Sequence, residues 1–323
     1  MTRSAISHAL PNCPLCGSKR TKARFFLPGG GVVNRCRDCT VEFLSPQPDD
    51  TRLNQIYSES YYAAWGLSGQ QDNDATRSMK RATFRLRLNL IRRHLQPAAA
   101  SATNSPAATS SARQSSPDPA TRPRILDVGC ATGYFLELAE EEGFQPFGVE
   151  YSAYAAARAS LRFGAGAIFQ GTLEQSSFPA ASFSAIAMSD LLEHVRSPLT
   201  TLTCAETLLT PGGILLIMTP DTSSRSRWLM GHRWTHYKPE HLFYFNRRCL
   251  TWLANRAGLR LTHFERSKKA LNLAYLYTQF SVYRHWLLTP LVTLAHRLAP
   301  NGLRNRNFYF SIGEMVVILE KKA

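Results

Sequence analysis

"RILDVGCATGYF", residues 124–135, decides the fold. Its first half reads as a short buried strand, and its second half opens "YFLELAEEEG" (134–143), a helix that ends at Gly143. Between them stands Asp127-x-Gly129-x-x-x-Gly133, in the setting of strand, tight turn and helix. A dinucleotide loop needs Gly-x-Gly-x-x-Gly; counted from Gly129, the second and third glycines would be Ala131 and Tyr134, so that fingerprint fails. Glycine at these points lets the backbone meet a ligand without a Cβ in the way.

The same alternation continues outward. "QPFGVE" (145–150) is a second strand and "SAYAAARASLRFG" (152–164) a second helix. "AIFQG", "FSAIAMSD" and "GGILLIMTPD" supply further strands, and "SPLTTLTCAETLLTPGG" is the helix before the last of these. "RRCLTWLANRAGL", "RLTHFERS" and the late "MVVILEK" complete the series. Repeated βα units with buried strands predict an α/β fold: a doubly wound, mostly parallel, Rossmann-like sheet over 124–267. Ligands of such sheets bind at the carboxyl ends of the strands.

The loop resembles motif I of class I S-adenosylmethionine (SAM) methyltransferases. Glu150 ends the second strand 21 residues after Gly129, "SDLLEHV" follows the fourth strand, and "LLTPGGILLIMTP" matches the family's Pro-Gly-Gly-strand segment. The resemblance implies SAM as cofactor, held by Asp127, Gly129, Cys130, Gly133, Glu150, Tyr151 and Asp190. In that reading Glu150 accepts from the ribose hydroxyls, and Asp127 orients the loop or receives the ammonium. The chain departs from the family at Thr172, where an acidic residue often contacts adenine, and at Ser184, where Asp commonly follows Phe.

Two clusters are candidates for the chemistry. Asp190, Glu193 and His194 would share one face if a helix begins there, and the run resembles the acidic-x-x-Glu-His of quinone-biosynthesis O-methyltransferases, which takes a divalent cation. A plainer reading is a helix start with His194 lining the pocket as a base. The second cluster, "RWLMGHRWTHYKPEHLFYF" (227–245), should roof the acceptor site. Its Tyr237, Glu240 and His241 resemble the Tyr-x-Glu-His of zinc-containing sugar C-methyltransferases, with one extra residue between Tyr and Glu. The catalytic candidates are therefore His194, His241, Glu240 and Tyr237.

Ahead of this domain, "CPLCGSKRTKARFFLPGGGVVNRCRDC" (13–39) holds two Cys-x-x-Cys pairs separated by 19 residues. Cys13, Cys16, Cys36 and Cys39 offer a closed tetrahedral sulfur shell, a structural zinc site; disulfides or free thiols are the alternative. The organisation expected is a zinc module over 1–48, a helical connector over 49–96 and a disordered linker over 97–123. The SAM-binding domain follows over 124–267, then a helical lid or insertion with a final strand over 268–323. In "MKRATFRLRLNLIRRHL" (79–95), Phe84, Leu88, Ile91 and Leu95 form one helical face, with Arg81, Arg85 and Arg92 away from it as a solvated or phosphate-gripping face.

The chain has 323 residues, seven cysteines and a net charge of +15. No signal-peptide h-region opens it and no apolar run is long enough to span a bilayer, so a cytoplasmic protein is expected. The charge fits nucleic acid, anionic lipid or phosphorylated substrates. A small-molecule, sugar or glycan/lipid-linked acceptor leads. RNA methylation, favoured by Lys19, Arg20, Lys22, Arg24, Arg35 and Arg37, is the alternative, together with a SAM-fold binding protein that has lost catalysis. The aromatic, leucine-rich stretch 270–300 fits a lid over the pocket, a dimer face or a peripheral membrane contact.

Overall fold

Unbroken apolar runs such as Ile214–Met218 and Met315–Leu319 have no polar face to turn to water, and both become strands buried on both sides. The computed structural model describes residues 11–28, 30–56, 74–95, 122–282 and 288–322. Its strands are β1 (Thr21–Phe26), β2 (Val32–Cys36), β3 (Glu42–Ser45), β4 (Arg124–Val128), β5 (Gln145–Glu150), β6 (Ile168–Gln170), β7 (Phe183–Ser189), β8 (Leu209–Pro220), β9 (Phe243–Tyr244), β10 (Leu259–Arg266), β11 (Lys269–Leu271), β12 (Phe308–Phe310) and β13 (Glu314–Lys321).

Seven of them form the main sheet in the order β10-β13-β8-β7-β4-β5-β6. β4, β5, β6, β7 and β8 pair in parallel, while β13 runs antiparallel between β8 and β10. The predicted mostly parallel, doubly wound sheet is thus observed. Neighbours of β4 lead away in opposite directions, which opens a crevice at its carboxyl end. Side chains alternate strictly across the layers. Ile214, Leu216 and Met218 pack with Leu88, Ile91, Leu136 and Ala159 on one face. Leu215 and Ile217 pack with Leu202, Leu250 and Leu253 on the other.

The helix Asp74–Leu95 buries the predicted stripe, Leu88 and Ile91 completely. Its basic face does not reach for an external phosphate. Arg77 pairs with Glu137 and Arg81 with Glu141 on the helix Tyr134–Glu141, and Arg92 with Glu142 at its carboxyl-terminal cap. Residues 57–73 of the connector and all but the last two residues of the 97–123 linker lie outside the described residues.

The four-cysteine module is joined to the main domain by backbone and core. β1, β2 and β3 make an antiparallel sheet whose fourth strand is β9, contributed by the stretch expected to roof the acceptor site. Leu44 N donates to Leu242 O at 3.0 Å, beside that pairing. Cys13, Cys36, Cys39, Val41 and Phe43 share one core with Leu250 and Leu253. At the seam Glu42 is only 1% exposed; it accepts from Tyr237 Oη at 2.6 Å and Arg227 Nη2 at 3.1 Å. Thr40 and the helix-capping Asn246 bond each other both ways, at 3.2 and 3.3 Å. No helix among the described residues is long and apolar enough to cross a membrane.

Tyr237→Phe removes one donor from a buried carboxylate and should cost about 1–3 kcal/mol of stability. Urea unfolding of the full chain measures it; an unchanged midpoint would show that the Glu42 seam carries no stabilising energy through this hydroxyl.

Candidate active site

The loop after β4 is built from left-handed backbone: Gly129 has φ 80°, Ala131 φ 48° and Gly133 φ 89°. At Ala131, which has a Cβ, that conformation costs about 1–2 kcal/mol. Glu150 offsets it. One carboxylate oxygen accepts from Ala131 N and the other from Ser152 N, each at 2.8 Å. Gly129 N and Cys130 N both donate to Val149 O, fastening the loop to the end of β5. Gly133 is demanded by packing too, since a Cβ there would lie 2.5 Å from the Phe163 ring.

Beneath the loop lies an ionic group that is buried at Asp127, Arg87 and Glu314 and open to solvent at Asp190. Burial, followed by the neighbouring Glu150 charge, pushes the Asp127 carboxyl up to about 8. Lys269 donates to Asp190 at 3.1 Å and to Glu314 at 2.6 Å, and these carboxylates outweigh burial to hold its ammonium charged. Arg87 is buried in the same group, its Nη1 3.5 Å from Ser189 Oγ and its Nη2 against the Met218 sulfur. Burial lowers its pKa, while Asp190, Glu314 and Asp127 oppose that. Sequence reading passed over Arg87. The available signal was its position three after Phe84 and four before Ile91, within the buried stripe.

Asp190, Glu193 and His194 do not share a helical face. Asp190 has φ 54°, His194 N closes a turn on Leu191 O at 2.8 Å, and the next helix starts only at Pro198. Asp190 is therefore directed to Lys269, whereas Glu193 and His194 meet the roof. Glu193 O accepts from Leu242 N at 2.8 Å, and Glu193 Oε2 accepts from Thr219 Oγ1 at 2.9 Å. His194 Nδ1 lies 3.1 Å from Glu240 O, and the His241 ring stands edge-on to His194 at 4.6 Å.

One ligand-capable atom from each of Glu193, His194 and His241 lies within 4.8 Å of the others. Glu193 Oε1 and His241 Nδ1 are buried with no hydrogen-bond partner among the described residues. Burial, then the Asp190 charge, pushes the Glu193 carboxyl up to about 8. Burial brings His194 down to about 4, and burial followed by the His194 and Lys238 charges holds His241 well below the usual imidazole range. Two neutral imidazoles beside a protonated carboxyl can accept hydrogen bonds, and the same atoms could hold a cation.

Other candidates fall elsewhere. Tyr237 is not a pocket residue: its hydroxyl is engaged by Glu42 and Arg227, and its ring packs on Phe25, Trp234 and Tyr244. The Tyr-Glu-His resemblance misassigned it because the hydroxyl turns to the four-cysteine module. Glu240 touches the cluster through its carbonyl. The Cys130 sulfur turns into the core, where a Cβ on Gly148 would sit 2.6 Å from it, so only its backbone faces the loop. Tyr151 is exposed at the rim. Thr172 caps a short turn in a reciprocal box with Gln175.

The four cysteines form a separate centre. Cys13 Sγ lies 3.6 Å from Cys39 Sγ and Cys16 Sγ 3.5 Å from Cys36 Sγ, with all four sulfurs within 4.8 Å. A tetrahedron with zinc–sulfur bonds of about 2.3 Å has edges of roughly 3.8 Å, so the set fits zinc. All four are free thiols, and the disulfide alternative does not describe this arrangement.

A profile of the methyltransferase domain matches residues 91–264, more than half of the chain. The chain belongs to the methyltransferase-domain family. It is 26% identical over 137 residues to a probable S-adenosylmethionine-dependent methyltransferase of Mycolicibacterium smegmatis, covering 42% of this chain and 52% of that protein. It is 29% identical over 112 residues to a ubiquinone biosynthesis O-methyltransferase of Cronobacter sakazakii, covering 33% and 46%. The chain thus spans about half the length of the curated relatives it matches. Among solved structures, the [4+2]-cyclase SpnF aligns with TM-score 0.52 at 16% identity, over 86% of this chain and 97% of that one. That likeness concerns the fold alone.

In this methyltransferase-family protein the raised Asp127 pKa has a stability consequence. The folded state keeps the proton where the unfolded chain has lost it, so this group makes stability fall as pH rises from about 4 to about 8. Asp127→Asn removes that dependence. Its Tm relative to wild type should climb steadily between about pH 5 and about pH 8; a constant difference would mean that Asp127 is already ionised in the fold.

Proposed function

We propose that the protein transfers a methyl group from SAM to a small-molecule, sugar or glycan/lipid-linked acceptor, with a structural zinc ion in its four-cysteine module. The observation that carries the reading is the loop Gly129–Gly133 at the crevice of the sheet, held at Ala131 N by one oxygen of Glu150 while the other accepts from Ser152 N. The residues suit the cofactor: side-chain-free backbone lines the approach at Gly129, and each Glu150 oxygen keeps acceptor capacity for a ribose hydroxyl.

Bound SAM supplies a methyl group on a sulfonium, so transfer needs an aligned acceptor more than covalent help from the protein. Asp127, protonated at neutral pH in the fold, would orient the loop or give up its proton on receiving the cofactor's ammonium, and Arg87, buried beside it, supplies a positive charge for a carboxylate. The roof is tied to the Glu193 turn by Leu242 N. His241 and His194, neutral at physiological pH, would take the proton from a hydroxyl acceptor.

Glu150→Ala removes a charge-assisted acceptor and should weaken SAM binding by about tenfold or more, while also loosening Ala131. Titration calorimetry on the full chain reads this directly; wild-type affinity would place the cofactor elsewhere. Metal analysis should find one zinc per chain, lost in Cys13→Ser and Cys36→Ser with SAM binding retained. A second equivalent that disappears in His241→Gln would assign Glu193, His194 and His241 to a cation instead of proton transfer.

A further inference from the structure

Two stretches of this chain, 222–239 and 266–313, contain no acidic residue at all. Both are basic: the first carries Arg225 and Arg233, the second Arg266, Lys268, Arg297 and Arg306, all exposed. The two stretches meet in space. Ser226 Oγ donates to Ile312 O at 3.4 Å, and a ring nitrogen of His236 lies 3.2 Å from the same carbonyl.

Each stretch also turns large apolar side chains outward. Trp228 is 82% exposed and Leu229 79%. On the helix Leu288–Leu298, Leu291, Leu294 and Leu298 recur at spacings of three and four and are 55–76% exposed. Its inner face packs instead through His296, stacked on Tyr277 at 4.2 Å. Beyond it Leu303 and the three rings of β12, Phe308, Tyr309 and Phe310, are exposed as well. A lid would bury the leucine face against the pocket. Here that face looks away from the body of the protein.

We infer that this combined surface docks the protein on an anionic lipid bilayer. Exposed leucines and aromatics flanked by Arg and Lys, without acids, are what an interfacial contact requires: the apolar side chains enter the acyl boundary and the cations meet lipid phosphates. Charge rules out the other occupants. A symmetric contact with a second copy sets each patch against itself, bringing cations to cations with no carboxylate between them. A nucleic acid would use the arginines but offers nothing to a leucine face. The surface adjoins the site, because Lys269 at the root of the insertion is paired with Asp190 at the end of β7. Docking therefore suits an amphiphilic acceptor delivered from the membrane; that clause rests on methyl transfer, the docking itself does not.

Co-sedimentation of the full chain with vesicles, without SAM or acceptor, tests the docking alone. Binding to phosphatidylcholine/phosphatidylglycerol vesicles should exceed binding to pure phosphatidylcholine and weaken as salt is raised. Leu291→Glu/Leu294→Glu should lower partitioning by about tenfold or more, as should Trp228→Glu/Leu229→Glu, with SAM affinity unchanged. The inference falls if wild type ignores anionic vesicles, or if both variants bind as wild type does. It falls equally if light scattering shows a wild-type dimer that the leucine variant converts to monomer.

Discussion

Glu42 is a carboxylate almost cut off from water, and the roof of the site hangs from it. Burying that charge is favourable only because Tyr237 and Arg227 both donate to it. From this point the constraint passes in two directions. Toward the amino-terminal side it reaches β2 and β3, with Cys36 ending β2 and Cys39 in the turn that connects them. Toward the domain it reaches β9 and then Leu242, whose amide fixes the turn carrying Glu193 and His194. A closed four-sulfur centre has no position for a substrate, yet it is joined to the Glu193 turn through the β3–β9 pairing, the shared core and the Glu42 side chain.

The interior of the site is arranged to be locally neutral. Burial raises the carboxyls of Asp127 and Glu193 and lowers the imidazoles of His194, His236 and His241, so the acids keep protons and the bases shed them. Charge is concentrated instead in the group of Asp190, Lys269, Glu314 and Arg87, where each ion has an opposite neighbour. A sulfonium donor entering such a place meets little competing cationic charge on the acceptor side. Since SpnF shares the fold and is a [4+2]-cyclase, it is this arrangement rather than the sheet that bears on activity.

The sheet was legible because its buried strands are short apolar runs and β4, β5, β7 and β8 each lead into a helix. β4, β5, β7 and β8 stand where the runs put them, with β8 starting earlier, at Leu209. The place of β13 between β8 and β10 was not legible, since pairing across the chain leaves no local trace. Glu150 could be placed from its distance to Gly129; that it grips Ala131 could not. Asp190-Glu193-His194 misled because the spacing presupposes a helix, and the left-handed backbone at Asp190 sends its side chain the other way. His241 beside His194 joins residues 47 apart in sequence, and Glu42 beside Tyr237 joins residues still further apart. Only the folded chain reveals such pairs. Arg87 was overlooked for a different reason: an arginine among arginines reads as surface until its burial is seen.

The position of the insertion has an evolutionary consequence. It is carried at the tip of the antiparallel pair β10–β13, whose strands pair from Leu259–Lys321 to Arg266–Met315 with one register shift between Leu261 and His263. Closing a longer loop costs only about 0.6 kcal/mol per doubling of its length. The part of the segment beyond β11 and before β12 can therefore be lengthened or shortened while Lys269 keeps its pairs with Asp190 and Glu314. Where such a chain works, and on what, could change by replacing one hairpin tip, while the machinery below it is inherited intact.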